Sequence, residues 1–521
     1  MKGGTVQIAW HGSEPILSLD FHSISGLLAT AGADHDIKLW SVQQKENAGP
    51  TVKFVADLSY HSKAVNVLRF SPSGQLLASG GDGGEILIWR QAGSVEDQPI
   101  WKVLRTLVMH QRDVLDLAWS PDSASLMSGS VDNQCIIWKV SSGQAWQVLN
   151  EHLHYVQGVA WDPAGQFVVS LSADRTCRIY SSQVIPTSRG TGKGFFVCQH
   201  VLAKTDVACL KQAVPSKHHL FHDETLPSFF RRPAWSPDAS FLVVPSGIHR
   251  PFLEAPPSNI SYIMSRDDLS RPAIHLPGPS KPVVAVRFCP LIFSLHPTVP
   301  QEIQSNPVNP SFSLPYRLVF AVATLDSLFI YDTQHSSPIV VCAGLHYAAI
   351  TDIAWSADGQ YVAVSSQDGY CSLLAFSDAE LGCFSLFSSV NSVRGPHNFS
   401  AIEIPPHIAS YLPEALLAKA KMTASEIAVT SEDVQLNLPD KDTSVTLCPR
   451  PLKHRRITPS VVTVDSPPSQ LKLHHPTPCA AASDPPTSPV EFQCIIPAGG
   501  TVDLSSSPSA AELHHTTLNP C

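Results

Sequence analysis

The sequence predicts an all-β fold: a seven-bladed β-propeller over residues 1–387, followed by a disordered Pro/Ser/Thr-rich tail over 388–521. Three observations predict it. In the units His61–Trp89, His110–Trp138 and His152–Tyr180 the aromatic residue stands 28 positions after the histidine, without a gap. Within a unit, short β-rich runs such as Cys135-Ile136-Ile137-Trp138 and Glu85-Ile86-Leu87-Ile88-Trp89 are separated by turn residues, as at Ser120-Pro121-Asp122, so several short strands share each unit. Past residue 387 the periodicity stops, and Pro405-Pro406, Pro467-Pro468 and Pro485-Pro486 mark a stretch too poor in apolar alternation to bury a core of its own.

A period of roughly 40–45 residues, four strands and a His…Trp-Asp signature are the marks of WD-repeat blades. Taken in order, Thr5–Trp10 alternates as a strand ahead of the first unit, placed to complete the last blade and clasp the ring. The first unit runs from His11 to Trp40, with Asp34 six positions before its aromatic, as Asp132 precedes Trp138 and Asp174 precedes Tyr180. Thr30, Ser79, Ser128 and Ser170 each lie ten positions before theirs. An aspartate suits a tight strand turn because its carboxylate accepts local backbone N–H bonds. The second unit has Gly83 where that aspartate is expected and Asp82 one residue earlier, so an incomplete set is expected there.

Gln91–Pro99 is polar and reads as a surface loop. Beyond Tyr180 the spacing degrades. Ser188–Gly194 superficially resembles a phosphate-binding loop, yet Lys193 is followed by Gly194 and a β-like run rather than by Ser/Thr opening a helix, so it reads as a flexible basic loop. A fifth unit begins near His222, where Ala234-Trp235-Ser236-Pro237-Asp238 repeats the turn of Ala118–Asp122. The sixth is split: Val283–Cys289 forms one strand, Leu291–Pro315 a Pro-rich loop, and the unit resumes at Arg317 and ends at Tyr331-Asp332. The seventh, His346 to Phe376, is regular again, with Trp355 nine after His346 and Asp368 at the turn.

Composition limits the function classes. A net charge of −9 argues against a DNA-coating chain and suits basic partners. The 12 cysteines show no C-x-x-C pair and no apolar leader opens the chain, which reads as reduced thiols of the cytosol or nucleus. The longest apolar run, Leu318–Tyr331, is too short to cross a bilayer and contains Asp326, so no membrane partner is expected. His/Ser/Asp groups match the residue types of nucleophilic catalysis, but they repeat unit after unit, as a catalytic site does not. No His-Glu-x-x-His, Gly-x-Ser-x-Gly or Cys/His metal spacing is present, and His218-His219 and His474-His475 lack nearby cysteines; neither enzyme activity, metal nor cofactor is expected.

Phe229-Phe230-Arg231-Arg232, Leu314–Ala323, Tyr331-Asp332-Thr333-Gln334 and Asp368-Gly369-Tyr370-Cys371-Ser372 resemble the middle, WD-repeat subunit family of chromatin assembly factor 1, and the likeness spans most of residues 1–387. Histone regulators of the HIR type share the propeller but carry a further C-terminal domain, for which this chain ends too soon. The resemblance implies a nuclear, non-enzymatic histone chaperone subunit. Its propeller would dock the large and small subunits of a chromatin assembly complex, help deposit histones H3 and H4 during replication and repair, and meet DNA only indirectly. It also implies a structural hydrogen-bonded set in each blade, drawn from His11, Asp34 and Trp40; His61 and Trp89; His110, Asp132 and Trp138; His152 and Asp174; His346 and Asp368.

In the tail, a basic cluster at Arg450–Arg456 precedes the β-branched run Ile457–Val464. A short basic cluster reads as a nuclear import signal. Arg455-Arg456-Ile457-Thr458-Pro459 also resembles the B-domain motif by which this family engages the anti-silencing-function histone chaperone, and the two readings are compatible. The resemblance implies that Arg455 and Arg456 pair with acidic side chains while Ile457 and Pro459 enter an apolar groove, as a strand added to a sheet edge. Pro413–Lys421 has the pattern of two helical turns but is too short to be stable alone. Thr458, Ser466, Thr477 and Ser488 each precede proline and are candidate phosphorylation sites; phosphate on Thr458 would place negative charge beside Arg455 and Arg456. The alternative function is a substrate receptor of a cullin-type ubiquitin ligase. Such receptors often end a repeat in Trp-Asp-x-Arg, and here the repeats end Trp40-Ser41-Val42, Trp89-Arg90-Gln91 and Trp138-Lys139-Val140.

Overall fold

Alternating apolar and small residues put each repeat into an antiparallel meander, since neighbouring strands joined by tight turns pair most cheaply with one another. The structure is a computed structural model, and it describes residues 2–382, apart from 45–48, 96–97, 186–192, 208–215, 253–254, 277–279, 297–313 and 336, together with the pair 494–495. Blade one is Ile16–Phe21, Leu28–Gly32, Asp36–Gln44 and Pro50–Ser59, ordered from the axis outward. Blades two, three and four start from inner strands Val65–Phe70, Val114–Trp119 and Val156–Trp161, each followed outward by three more strands. A small hairpin, Lys204–Val207 with Ser216–His219, precedes blade five, whose strands are Ala234–Trp235, Phe241–His249, Ser258–Ser265 and Ile274–Leu276. Blade six runs from Val283–Phe293 to Val340–Ala343, and Cys494–Ile495 of the tail adds to its outer edge.

Blade seven closes the ring. Its inner three strands are Ile350–Trp355, Tyr361–Ser366 and Cys371–Ala375, and its outermost is Lys2–Val6 from the opposite end of the chain. The register runs from Lys2 opposite Ala375 to Val6 opposite Cys371. The strand is shorter and earlier than the pattern Thr5–Trp10 implied, because Ile8 and Trp10 donate to Val6 and Ile8 carbonyls and turn the chain away. Trp10 is fully buried against Trp40, with ring centroids 4.7 Å apart. After Ala375, Phe376 stacks on Trp355 and one helical turn, Asp378–Leu381, packs Leu381 into the core between blades six and seven.

Two readings are corrected. Gln91–Val95 and Gln98–Pro99, the described part of Gln91–Pro99, are strand rather than loop: Glu85–Val95 and Gln98–Val108 extend their ladder into it, with Gln91 opposite Trp101 and Ser94 opposite Pro99. Both edges keep their backbone partners, and a bulge between Gln91 and Gly93 absorbs the mismatch. The inner strand of blade six does not stop at Cys289. It bulges between Phe288 and Ile292 and pairs on to Phe293 opposite Arg317, because Ile292 then buries beside Leu318 and Tyr316.

The core lies between blades, not within them. Val67, Ile86 and Ile88 of blade two, for example, pack on Leu117, Leu126 and Ile136 of blade three. Each inner strand except that of blade five also bulges near its start, as between Val114 and Asp116. Such bulges raise the local twist and re-aim the residues that follow.

Deleting residues 1–6 is expected to leave Cys371–Ala375 as an open edge, lowering the melting temperature and promoting self-association. Gly3→Val should act in the same direction, since a Cβ on Gly3 meets the Leu373 carbonyl oxygen at 2.3 Å. Thermal melting with light scattering checks both; unchanged melting would mean the clasp is dispensable.

Candidate functional sites of the ring

The repeated polar set lies where the inner strands of blades one, two, three, four and seven begin; among the described residues blades five and six carry no such set, and His222 ahead of blade five bonds Asn259 instead. In blade three, His110 Nδ1 is 2.9 Å from Asp132, His110 Nε2 is 2.7 Å from Ser128 Oγ, and Trp138 Nε1 donates to the same Oγ at 2.8 Å. The Asp132 carboxylate only accepts, so the Nδ1 proton is directed to it, and in that tautomer Nε2 accepts from the Ser128 hydroxyl, which also lies 3.3 Å from the Ile136 carbonyl. Blade one repeats the chain with His11, Asp34, Thr30 and Trp40 at 2.6, 2.8 and 2.9 Å. Asp132 further accepts the Gln134 amide across a turn in which Asn133 has a left-handed φ of 71°, which explains why a short acceptor stands there. Burial by itself would raise the Asp34, Asp132, Asp174 and Asp368 carboxyls, yet the bond to each histidine holds them below their ordinary value.

The other blades vary the set. Blade two is complete after all: Glu85, at the start of the third strand, reaches His61 Nδ1 at 3.0 Å, while Ser79 and Trp89 keep their places. Glutamate's extra methylene spans the gap left at Gly83, and the glycines at 83 and 84, both with positive φ, carry the turn. In blade four His152 holds Asp174 and Ser170, but Tyr180 donates its hydroxyl to Glu151 at 3.1 Å. In blade seven His346 meets Asp368 at 3.1 Å, and Ser372 replaces the missing serine from the neighbouring strand, where it also contacts Thr5 of the clasp at 3.0 Å. The connectivity is that of a Ser-His-Asp triad, but Thr30, Ser79, Ser128 and Ser170 are 0 % exposed, so no substrate reaches their oxygens. Among the described residues no group of three His, Cys, Asp or Glu is placed to hold a metal ion.

A second constellation lies on the axis. Asp352 accepts from Arg69 at 2.7 Å, from Ser18 at 2.7 Å, from Arg287 at 3.4 Å, and is in direct contact with Arg232. Asp116 stands 3.5 Å from Arg69 and 3.8 Å from Arg232, and accepts the Val159 amide at 3.0 Å. These groups come from blades one, two, three, six and seven, and Arg232 enters on the segment that leads into blade five. That segment crosses between Gly158, whose missing Cβ makes room for the Arg231 carbonyl, and Val284–Val286. Burial would raise the Asp352 carboxyl, but Arg232, Arg69 and Arg287 together hold it well below the usual range. Sequence reasoning missed this cluster. Its signal was a charge inside an otherwise apolar inner strand, as in Val-Leu-Asp-Leu-Ala-Trp or Val-Val-Ala-Val-Arg-Phe.

The two ends of the ring differ. On the histidine end, Tyr347 (88 % exposed), Leu153 (83 %), Phe229 (61 %) and Met109 (48 %) project from the loops that lead into inner strands. The motif Arg455, Arg456, Ile457, Thr458 and Pro459 and the candidate phosphorylation sites Thr458, Ser466, Thr477 and Ser488 lie outside the described residues; of the basic loop expected at Ser188–Gly194, residues 188–192 lie outside them too, while Lys193 and Gly194 open the strand Lys193–Leu202.

Comparison with known proteins places this architecture. A family model described as the CAF1B/HIR1 beta-propeller domain matches residues 1–381. The chain is 52 % identical to a chromatin assembly factor 1 subunit FAS2 homolog of Oryza sativa subsp. japonica, over 82 % of this chain and 83 % of that one. It is 37 % identical to a chromatin assembly factor 1 subunit of Mus musculus, over 76 % and 70 %, and 34 % identical to a chromatin assembly factor 1 subunit of Saccharomyces cerevisiae, over 72 % and 86 %. Proteins named HIR1 are more distant, at 25 % identity for that of Yarrowia lipolytica over 54 % of this chain and 25 % of that one.

Asp132→Ala is expected to cost about 1–3 kcal/mol at neutral pH. The folded pKa of Asp132 is depressed, so its contribution is complete above the unfolded carboxyl value and fades as pH falls through the folded one. The gap between wild type and variant in urea titrations should therefore be full above about pH 4 and narrow below it. A variant as stable as wild type that loses partner binding would make Asp132 a contact residue instead. Asp352→Asn leaves three guanidiniums with less counter-charge and should cost more, about 3–5 kcal/mol, by the same titration.

Proposed function

The chain belongs to the CAF1B/HIR1 β-propeller family, and from that premise we propose that it is a non-enzymatic histone chaperone subunit of a nuclear chromatin assembly complex, helping to deposit histones H3 and H4 onto DNA in replication and repair. The observation that carries this reading is the similarity at 52 % identity across 82 % of the chain to a protein named as a chromatin assembly factor 1 subunit. The fold supports a scaffold role. A closed ring offers two broad end faces, and the exposed Tyr347, Leu153, Phe229 and Met109 suit docking of the large and small partner subunits.

In this reading the ring, residues 1–387, is the docking body and 388–521 is the recruiting tail. Arg455 and Arg456 pair with carboxylates of the anti-silencing-function chaperone, Ile457 and Pro459 enter its groove, and the chain touches DNA only through its partners. Charge-assisted guanidinium bonds and one buried aliphatic would supply most of the affinity, as a few anchors usually do.

Affinity capture from nuclear extract tests both levels with one set of full-length chains. Wild type should retain the large chromatin-assembly subunit, core histones and the chaperone. Arg455→Ala with Arg456→Ala should retain the first two and lose the third, and a peptide spanning 452–464 with both changes should bind purified chaperone at least about tenfold more weakly than the unaltered peptide. Lysine at both positions should keep nuclear accumulation yet weaken chaperone binding, because an ammonium does not reproduce the planar fork. Retention of a cullin with its adaptor, without the large subunit, would favour the ubiquitin-ligase reading. Undiminished affinity in the double-alanine peptide would leave the basic cluster as an import signal only.

A further inference from the structure

The end of the ring opposite the histidines holds a cavity of about 350 Å³ at the mouth of the axis. Its origin lies in one layer of side chains. Five residues into the inner strands of blades six, one and two stand Arg287, Asp20 and Arg69. At the matching place blade seven has Ala354, while the three consecutive blades three, four and five have Ala118, Ala160 and Ala234. The side-chain volume missing from that half of the layer is the cavity. Its rim is aromatic and apolar, formed by Phe70, Pro72, Trp119, Trp161, Pro163 and Trp235.

The charged wall is not evenly compensated. Asp352 lies closer to Arg69 and Arg232 than to Arg287, which it meets only at 3.4 Å. Arg287 has one further contact, a bond to the Val286 carbonyl at 3.1 Å, so among the described residues it uses two of the five N–H donors a guanidinium offers. Asp20 is turned onto the backbone, accepting the Phe70 amide at 2.8 Å and the Phe21 amide at 3.1 Å. Burial, followed by repulsion from Arg69, pushes the Arg287 guanidinium below its ordinary range against the pull of Asp352, Asp116 and Asp20.

We infer that this mouth is a peptide-binding site that takes a carboxylate side chain on Arg287 and a flanking apolar side chain against Trp161 and Trp235. A guanidinium edge matches the two oxygens of one carboxylate, and Arg287 has N–H donors left over for it. A cationic ligand would face Arg69 and Arg287, and a phosphate alone would bring two charges beside Asp20 and leave the aromatic rim unused. Pockets of this size, with apolar walls and few polar groups, are the usual form of a ligand site.

Full-length chain labelled with 5-fluorotryptophan provides the test, with the resonances of Trp161, Trp235 and the remote Trp138 identified by single Trp→Phe replacements. Titration with the capped peptide acetyl-Leu-Glu-Leu-amide should shift Trp161 and Trp235 saturably and leave Trp138 in place. Acetyl-Leu-Gln-Leu-amide should bind at least about tenfold more weakly, roughly 1.4 kcal/mol. Arg287→Leu should show the same loss for the glutamate peptide, and Ala160→Phe should abolish binding by filling the cavity without touching the ion cluster. The inference fails if no saturable shift is seen, or if the glutamine peptide binds equally to the unaltered chain. It fails also if sodium acetate or inorganic phosphate binds as tightly as the peptide, since the site would then read a bare anion.

Discussion

Lys2–Val6 pairs with Cys371–Ala375, and that ladder turns seven meanders into a ring. In a repeat architecture each unit buries its apolar face only against its neighbours, so an open array would end in two uncovered blades. The clasp lets blade seven be covered by blade one, and Ile16, Leu19 and Trp40 share a cluster with Ala363, Leu373 and Ala375. Joining the two ends through one blade also makes the clasp a contact of very high sequence separation, more than 360 residues between Thr5 and Ser372, so its closure carries a large chain-entropy cost.

Closure brings seven inner strands to one axis, where the backbone leaves little room and side chains of every blade meet. An apolar plug would satisfy packing there. This chain uses a shared Asp352, with Asp116 behind it, to hold three arginines from different blades. Buried ion clusters are weak sources of net stability, since desolvation offsets much of the attraction. Their geometric demand is strict, however: the cluster forms only when blades two, three, six and seven and the segment before blade five are all in place. It therefore ties the closed ring to a handful of charges drawn from distant parts of the chain.

Function then divides by surface. The blade polar sets are sealed under 0 % exposed hydroxyls and stiffen the ring. The histidine end carries exposed aromatic and aliphatic side chains, while the opposite end carries a cavity with a charged wall. A ring with two chemically distinct ends suits a scaffold that joins several partners at once, consistent with its place in the CAF1B/HIR1 family.

The sequence by itself determined what one repeat can encode. The distance from His110 to Trp138, the turn at Asp132 and the alternation in each strand are local, so the blades and a closing strand near Thr5 could be read directly, while the polar sets at His11, His110 and His152 were implied by resemblance to WD repeats. Where a blade departed from the pattern, local reading fell short: Glu85 and Ser372 fill their roles from positions that no spacing rule selects, because what matters is reach across the turn or the neighbouring strand. The run Gln91–Pro99 looked like a loop because its residues are polar, yet edge strands far from the axis need backbone pairing and not apolar side chains. Only the tertiary structure decided the axial cluster and the cavity beside it. Arg69 and Asp352 are 283 positions apart, and nothing between them in the chain says that strand positions three and five converge. That convergence follows from ring closure, which sets every inner strand at the same radius and aligns the same positions into common layers.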